Sequence, residues 1–159
     1  MDQLVRALTT SVDPAALMVR VAEQACAFMA NADGAAINLL RASDNAFVTV
    51  SASGVLAPAM GFVISKDRSL QGIAAREKRP LLVHEASTDT RLSPSVRALN
   101  KQWGTRSWAV IPLINNGEAM GSLMLAATVP GAFTTTDIDP MVAVSDFVSA
   151  LIVSQSELS

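Results

Sequence analysis

Apolar residues recur along this chain with two alternating periods, and the change from one to the other marks the elements. Leu4, Val5 and Leu8 suggest a short opening helix. Asp13 followed by Pro14 has the form of an N-cap and first helical position. Leu17, Val21, Ala25, Phe28 and Met29 then repeat at helical spacing, which predicts an amphipathic helix ending near Asn31. Asp33-Gly34 breaks it, and the period falls to two. Ala35 to Arg41 reads as a strand, Asp44-Asn45 as a turn, and Phe47 to Ser53 as the return strand, with Phe47, Thr49 and Ser51 alternating against Val48, Val50 and Ala52. Gly54 to Met60 reads as a loop and Phe62-Val63-Ile64 as a short strand.

The helical period returns at Ser69, a cap for a helix through Lys78 with Leu70, Ile73 and Ala74 on its core face. Arg79-Pro80 stops it, and Leu81 to His84 reads as a short strand. Glu85 to Leu99 is polar, a loop that runs into a helix near residues 95–102, ended by Trp103-Gly104. Arg106 to Ile114 and Met120 to Ala127 are strands joined at Asn116-Gly117, a hairpin-turn dipeptide. The last helix begins between Thr134 and Pro140. A Thr134-x-x-Asp137 capping box competes there with an Asp139 cap followed by Pro140. Hairpins demand antiparallel pairing, and helices at both ends can cover sheet faces, so the order predicts an α+β domain.

Composition narrows the class. The chain has 159 residues, about one domain's length. Half its residues are hydrophobic and 16% are charged, which excludes a disordered chain. A lone cysteine, Cys26, excludes a disulfide scaffold. With no secretory signal in residues 1–10, it points to a reducing, cytoplasmic setting. The net charge of -2 argues against a nucleic-acid grip driven by overall charge. Gly121, Ser122, Thr128, Pro130 and Gly131 interrupt the least charged region, so no membrane span is expected. All 12 Lys and Arg lie in residues 1–106; residues 107–159 hold none, and 5 acids. A final third so poor in charge is expected to be covered, by the core or by another chain.

Four strings carry a family likeness. They are Asp33-Gly34-Ala35-Ala36-Ile37-Asn38-Leu39; Ser69 to Ala75 with Lys78-Arg79-Pro80-Leu81; Ser87-Thr88-Asp89-Thr90-Arg91; and Ala109 to Leu113 through Gly121-Ser122-Leu123 to Phe133-Thr134-x-x-Asp137. In this order and spacing the chain resembles the GAF domain, a ligand-binding and signalling module, over most of residues 13–155. The resemblance implies a single domain over 1–159. It implies a GAF-like (profilin-like) antiparallel sheet of five to six strands between two helical layers. The first and last helices would pack together on one face. On the other, the Ser69 helix and the Glu85–Gly104 segment would close over a pocket. From where the family places that pocket, the resemblance implies Phe62, Ile64, Ile73, His84, Asp89, Trp103, Thr105 and Ser107 as its lining.

Catalytic inventory is thin. Cys26 shares a helix face with Ala22 and Met29 and reads as a small buried hydrophobe. One GAF-like enzyme, a free methionine sulfoxide reductase, needs a second cysteine to resolve the sulfenic acid, which this chain lacks. His84 is the one histidine. It offers a single axial ligand for haem, against the blander reading of a strand-end residue bonded to backbone. Asp89 and Arg91 offer a grip on a carboxylate or phosphate, or simply a loop clasp. Trp103 and Trp108 read as core or pocket wall. Arg76, Lys78 and Arg79 read as the solvated end of a helix. The Asn-Lys pair of cyclic-nucleotide-binding members is absent before Phe133, and Ile138 replaces the family's Glu. The last helix carries Met141, Val142, Val144, Phe147, Val148, Leu151 and Ile152, a face wider than one sheet contact needs. The expectation is a non-catalytic sensory domain of a larger signalling protein, binding a small molecule and dimerising through its first and last helices. The alternatives are a ligand-free dimerisation module and, behind it, a thiol enzyme.

Overall fold

The computed structural model describes residues 31–41 and 43–158, and before them Arg20, Glu23, Gln24, Ala27 and Met29; side chains at 147, 151 and 154–158 are not described. Arg20, Glu23, Gln24 and Ala27 are helical, within the expected 17–29 helix. The rest of that helix except Met29, Cys26 included, and the expected 4–8 helix lie outside the described residues.

Six strands form one sheet: β1 Gly34–Arg41, β2 Ala46–Gly54, β3 Val63–Ile64, β4 Leu81–Val83, β5 Ser107–Asn115 and β6 Glu118–Ala127. Their spatial order is β3-β2-β1-β6-β5-β4, and every pairing is antiparallel. Beyond the helical residues near the start of the chain, three α-helices accompany them among the described residues: α1 Leu70–Glu77, α2 Pro94–Trp103 and α3 Thr135–Leu158. The fold is the expected α+β arrangement.

Period-two alternation divides the core into two layers. Ala35, Ile37, Ala109, Ile111, Leu123 and Leu125 point to the α3 face, where Ile138, Met141, Val144, Val148 and Ile152 meet them; Met29 joins this cluster. Ala36, Trp108, Val110, Met124 and Ala126 point to the opposite face, where Leu70, Ala74 and Leu92 lie. Residues 107–113 and 121–127 are buried throughout. The charge-poor final third is therefore covered in large part by the chain's own two helical layers.

Caps set the helix boundaries. The Ser69 hydroxyl accepts from Gly72 N at 3.0 Å. The Ser93 hydroxyl accepts from Val96 N at 3.2 Å, with Pro94 as the first helical residue, one earlier than expected. At α3 the competition resolves in favour of the capping box. Asp137 Oδ2 accepts from Thr134 N at 3.1 Å, and Thr134 Oγ1 accepts from Asp137 N at 3.2 Å. Pro140 then sits inside the helix, where its missing N–H forgoes one backbone bond. Two satisfied donors at the terminus and a buried face beyond it outweigh that loss.

A bulge in β2 departs from the expected alternation. Ile37 faces Ser51 but Asn38 faces Thr49, so Val50 is the extra residue. Ser51 thereby shares the α3 face with Ile37 rather than the face of Thr49. The consequence for function is that a threonine, not a valine, stands opposite Asn38.

Candidate functional site

On the face away from α3, the sheet and helices α1 and α2 enclose a cavity of about 110 Å³ that opens to solvent. Its floor comes from the sheet: Ala36 and Asn38 on β1, Thr49 on β2, Trp108 on β5 and Met124 on β6. Its sides come from the starts of α1 and α2, from α2's inner face, and from Ala59, Phe62 and Ile64 before and within β3.

The floor carries a buried polar network. Asn38 Nδ2 donates to Ser122 Oγ at 3.0 Å, and Thr49 Oγ1 donates to Asn38 Oδ1 at 2.7 Å. A second network anchors α2 to the sheet. Asn100 Oδ1 accepts from Trp108 Nε1 at 2.7 Å and from Thr105 Oγ1, while its Nδ2 donates to Val96 O at 2.8 Å. One buried asparagine thus fixes both the indole that floors the cavity and the end of the helix that walls it. Phe62 and Trp103 form an aromatic pair on the outer wall, with centroids 5.4 Å apart and planes tilted by 52°. Phe62 is 39% exposed, so it sits at the rim.

Charge at the rim is basic. Arg68 and Arg91 line the cavity, and no acid does so among the described residues. Arg91 is clasped by Asp89: its Nε and Nη2 reach the two carboxylate oxygens at 3.0 and 2.6 Å, and Nη2 also donates to Leu82 O at 2.7 Å. The Arg91 hydrogen bonds hold Asp89 below the ordinary carboxylate range, against the opposing pull of burial. The same contact raises Arg91.

Of the eight residues expected to line the pocket, Phe62, Ile64 and Trp103 lie on the cavity wall. The other five lie elsewhere. Ile73 packs into the apolar cluster beneath α1. Asp89 faces Arg91 and reaches the cavity only through it. Thr105 is turned to Asn100. Ser107 precedes Trp108 by one residue, so strand alternation sends it to the opposite face, where its hydroxyl donates to Val129 O at 2.7 Å. His84 falls just past the end of β4 and is exposed. Its carbonyl accepts from Gly131 N at 2.8 Å, and a Cβ on residue 131 would come within 2.6 Å of its ring. The imidazole therefore lies against Gly131, off the cavity wall, where it cannot ligate haem in that cavity. Sequence reasoning missed Asn38, Thr49, Arg68, Gln71, Asn100 and Met124 as lining. Asn38 had a signal, a carboxamide inside an apolar strand. Thr49 had none, because the bulge that turns it to Asn38 follows from pairing.

Among the described residues, no cluster of His, Cys, Asp and Glu is able to hold a metal ion, and no helix is long and apolar enough to cross a membrane. No curated protein matches the chain by sequence. Solved structures do match its fold. The GAF domain of a Coxiella burnetii phosphoenolpyruvate-protein phosphotransferase superposes with a TM-score of 0.83 at 15% identity, over 98% of this chain and 92% of that one. The corresponding Acinetobacter domain gives 0.81 at 16% identity, over 99% and 92%. A free methionine-R-sulfoxide reductase from Neisseria meningitidis, solved with its substrate, gives 0.79 at 16% identity, over 99% and 89%. The GAF domain family model matches residues 6–152. With that match over most of its length, and this sheet order, the chain belongs to the GAF domain family, a family of sensory and regulatory domains.

Proposed function

We propose that this chain is a sensory domain that binds a small molecule in the cavity between the sheet and helices α1 and α2, and passes that event to a partner or effector. The observation that carries this reading is the cavity itself. Apolar and aromatic side chains line it, a few convergent polar groups punctuate it, and it is open at one rim; this is the usual make-up of a small-molecule site. Its floor residues alternate along β1, β5 and β6 with those that pack on α3. A ligand that favours one of two strand arrangements would thus bias α3 as well.

The reading assigns no catalysis to the chain. Thiol reductase chemistry that ends in a resolving disulfide needs a second cysteine, and the single Cys26 supplies one sulfur. Thermal-shift screening of purified protein against a metabolite library tests the proposal. A ligand at about 100 times its dissociation constant adds about 2.7 kcal/mol of stability. A ligand-free dimerisation module is the second reading. It predicts that no compound stabilises the protein, and that Ala36→Leu, which fills the void from the floor, raises the melting temperature instead.

A further inference from the structure

The small-molecule reading leaves the ligand's chemistry open, and three features of the cavity narrow it. The first is an unpaired cation. Arg41, Arg79, Arg91 and Arg106 pair with carboxylates, and Arg76 and Arg97 donate to backbone carbonyls. The Arg68 guanidinium, on the cavity wall, meets no such partner among the described residues. No aspartate or glutamate among the described residues lines the cavity to neutralise it.

The second is the pair of helix starts. Ser69 and Ser93, the N-caps of α1 and α2, both line the cavity. Neither helix has an acid in its first turn, whereas α3, on the other face of the sheet, has Asp137 there. The positive ends of two helix dipoles therefore converge on one void with serine caps but no acid in either first turn.

The third is independent of charge. Gln71 is 6% exposed and lines the cavity, yet its carboxamide makes one weak contact, from Nε2 to Met124 Sδ at 3.7 Å. One N–H and the carbonyl oxygen have no hydrogen-bond partner among the described residues. Both face the open cavity, where solvent or a bound ligand would supply their partners, and a ligand able to bond them would gain by doing so.

Size and wall chemistry bound the rest of the molecule. A dry engineered cavity of about 150 Å³ takes a benzene ring. A void of about 110 Å³ with an open rim suits a body of that order, not a nucleotide or a tetrapyrrole. The Phe62–Trp103 pair, Trp108 and Met124 demand that this body be apolar.

Taking the small-molecule reading as its base, we infer that the cavity binds a small carboxylate with a hydrocarbon body, a single-ring aromatic or branched aliphatic acid. The carboxylate faces Arg68, the free Gln71 N–H and the two helix starts, and the body lies against the aromatic wall. The contact to the Arg68 guanidinium is charge-assisted.

Both tryptophans of the chain line the cavity, so intrinsic fluorescence reports binding directly. Benzoate, phenylacetate and 4-methylpentanoate are titrated against their primary amides, which match them in shape and lack the charge. At least one acid is expected to change the emission saturably and to bind about tenfold or more tightly than its amide, about 1.4 kcal/mol. Arg68→Gln, at an exposed and unpaired position, is expected to erase that preference, and Arg68→Lys to restore part of it. Amides binding as well as acids, or a preference that survives Arg68→Gln, would overturn the assignment of an acid and leave the small-molecule reading standing. Failure of every acid while another library compound stabilises the protein would do the same. If no probe binds and no compound stabilises the protein, both inferences fall together.

Discussion

Asn100 joins three parts of the molecule through one carboxamide. Its oxygen receives the Trp108 indole N–H and the Thr105 hydroxyl, and its amide group returns to the α2 backbone at Val96. At 3% exposure, it has no water to replace those partners. Asn100→Ala would strand a buried indole N–H, at a cost of about 1–3 kcal/mol, and leave the Thr105 hydroxyl only its longer contact to the backbone carbonyl of residue 100 at 3.3 Å. The expected result is a loss of about 3 kcal/mol in urea unfolding, together with red-shifted tryptophan emission as Trp108 loosens. Unchanged emission and a loss below about 1 kcal/mol would show that the indole does not depend on this acceptor. The Asp89–Arg91 clasp is of a different kind. It lies nearer the surface, where ion pairs contribute little, and what it does is aim Arg91 across the cavity rim.

Among the elements, α2 supplies most of the helical wall, and the first turn of α1 adds Ser69, Leu70 and Gln71 at the mouth. Gly72 makes that approach possible. A Cβ there would lie 1.7 Å from Lys66 O, backbone that has no side-chain freedom with which to yield. Gly72→Ala is therefore expected to push the 65–69 loop away from α1, costing about 2 kcal/mol or more even though alanine is the better helix former. Equilibrium unfolding measures the loss, and a stabilised variant would show that the loop is free to move. Most elements were legible in the sequence because each rests on local physics. Asn116-Gly117 closes a hairpin by its own backbone preference, and both are at positive φ in the structure. Ser69 caps a helix with its own hydroxyl. The Thr134 box was legible too, but its victory over Asp139-Pro140 depended on how well a buried helix face compensates a lost backbone bond.

At the scale of the whole molecule, the sheet separates the cavity on one face from α3 on the other. We propose that α3 and the first helix also form a homodimer. Past Pro140, the described exposed positions of α3, Ala143, Asp146 and Ala150, are small or acidic, and residues 107–159 carry no lysine or arginine to resist close approach. Light scattering at tens of micromolar is expected to return twice the chain mass. A clean monomer would remove the dimer and leave the cavity untouched, since none of its lining residues lies on α3.

Taken alone, the chain's residues determined the α+β class, the antiparallel hairpins, the caps and the scarcity of catalytic groups, because each follows from local periodicity, turn chemistry or a simple count of side-chain types. Tertiary structure alone decided what lines the cavity. The β2 bulge turned Thr49 to Asn38, one step of alternation sent Ser107 away from Trp108, and the close approach of Gly72 to Lys66 brought Arg68 and Gln71 together. Register and close approach come from pairing between segments far apart in sequence, and no single segment carries that information.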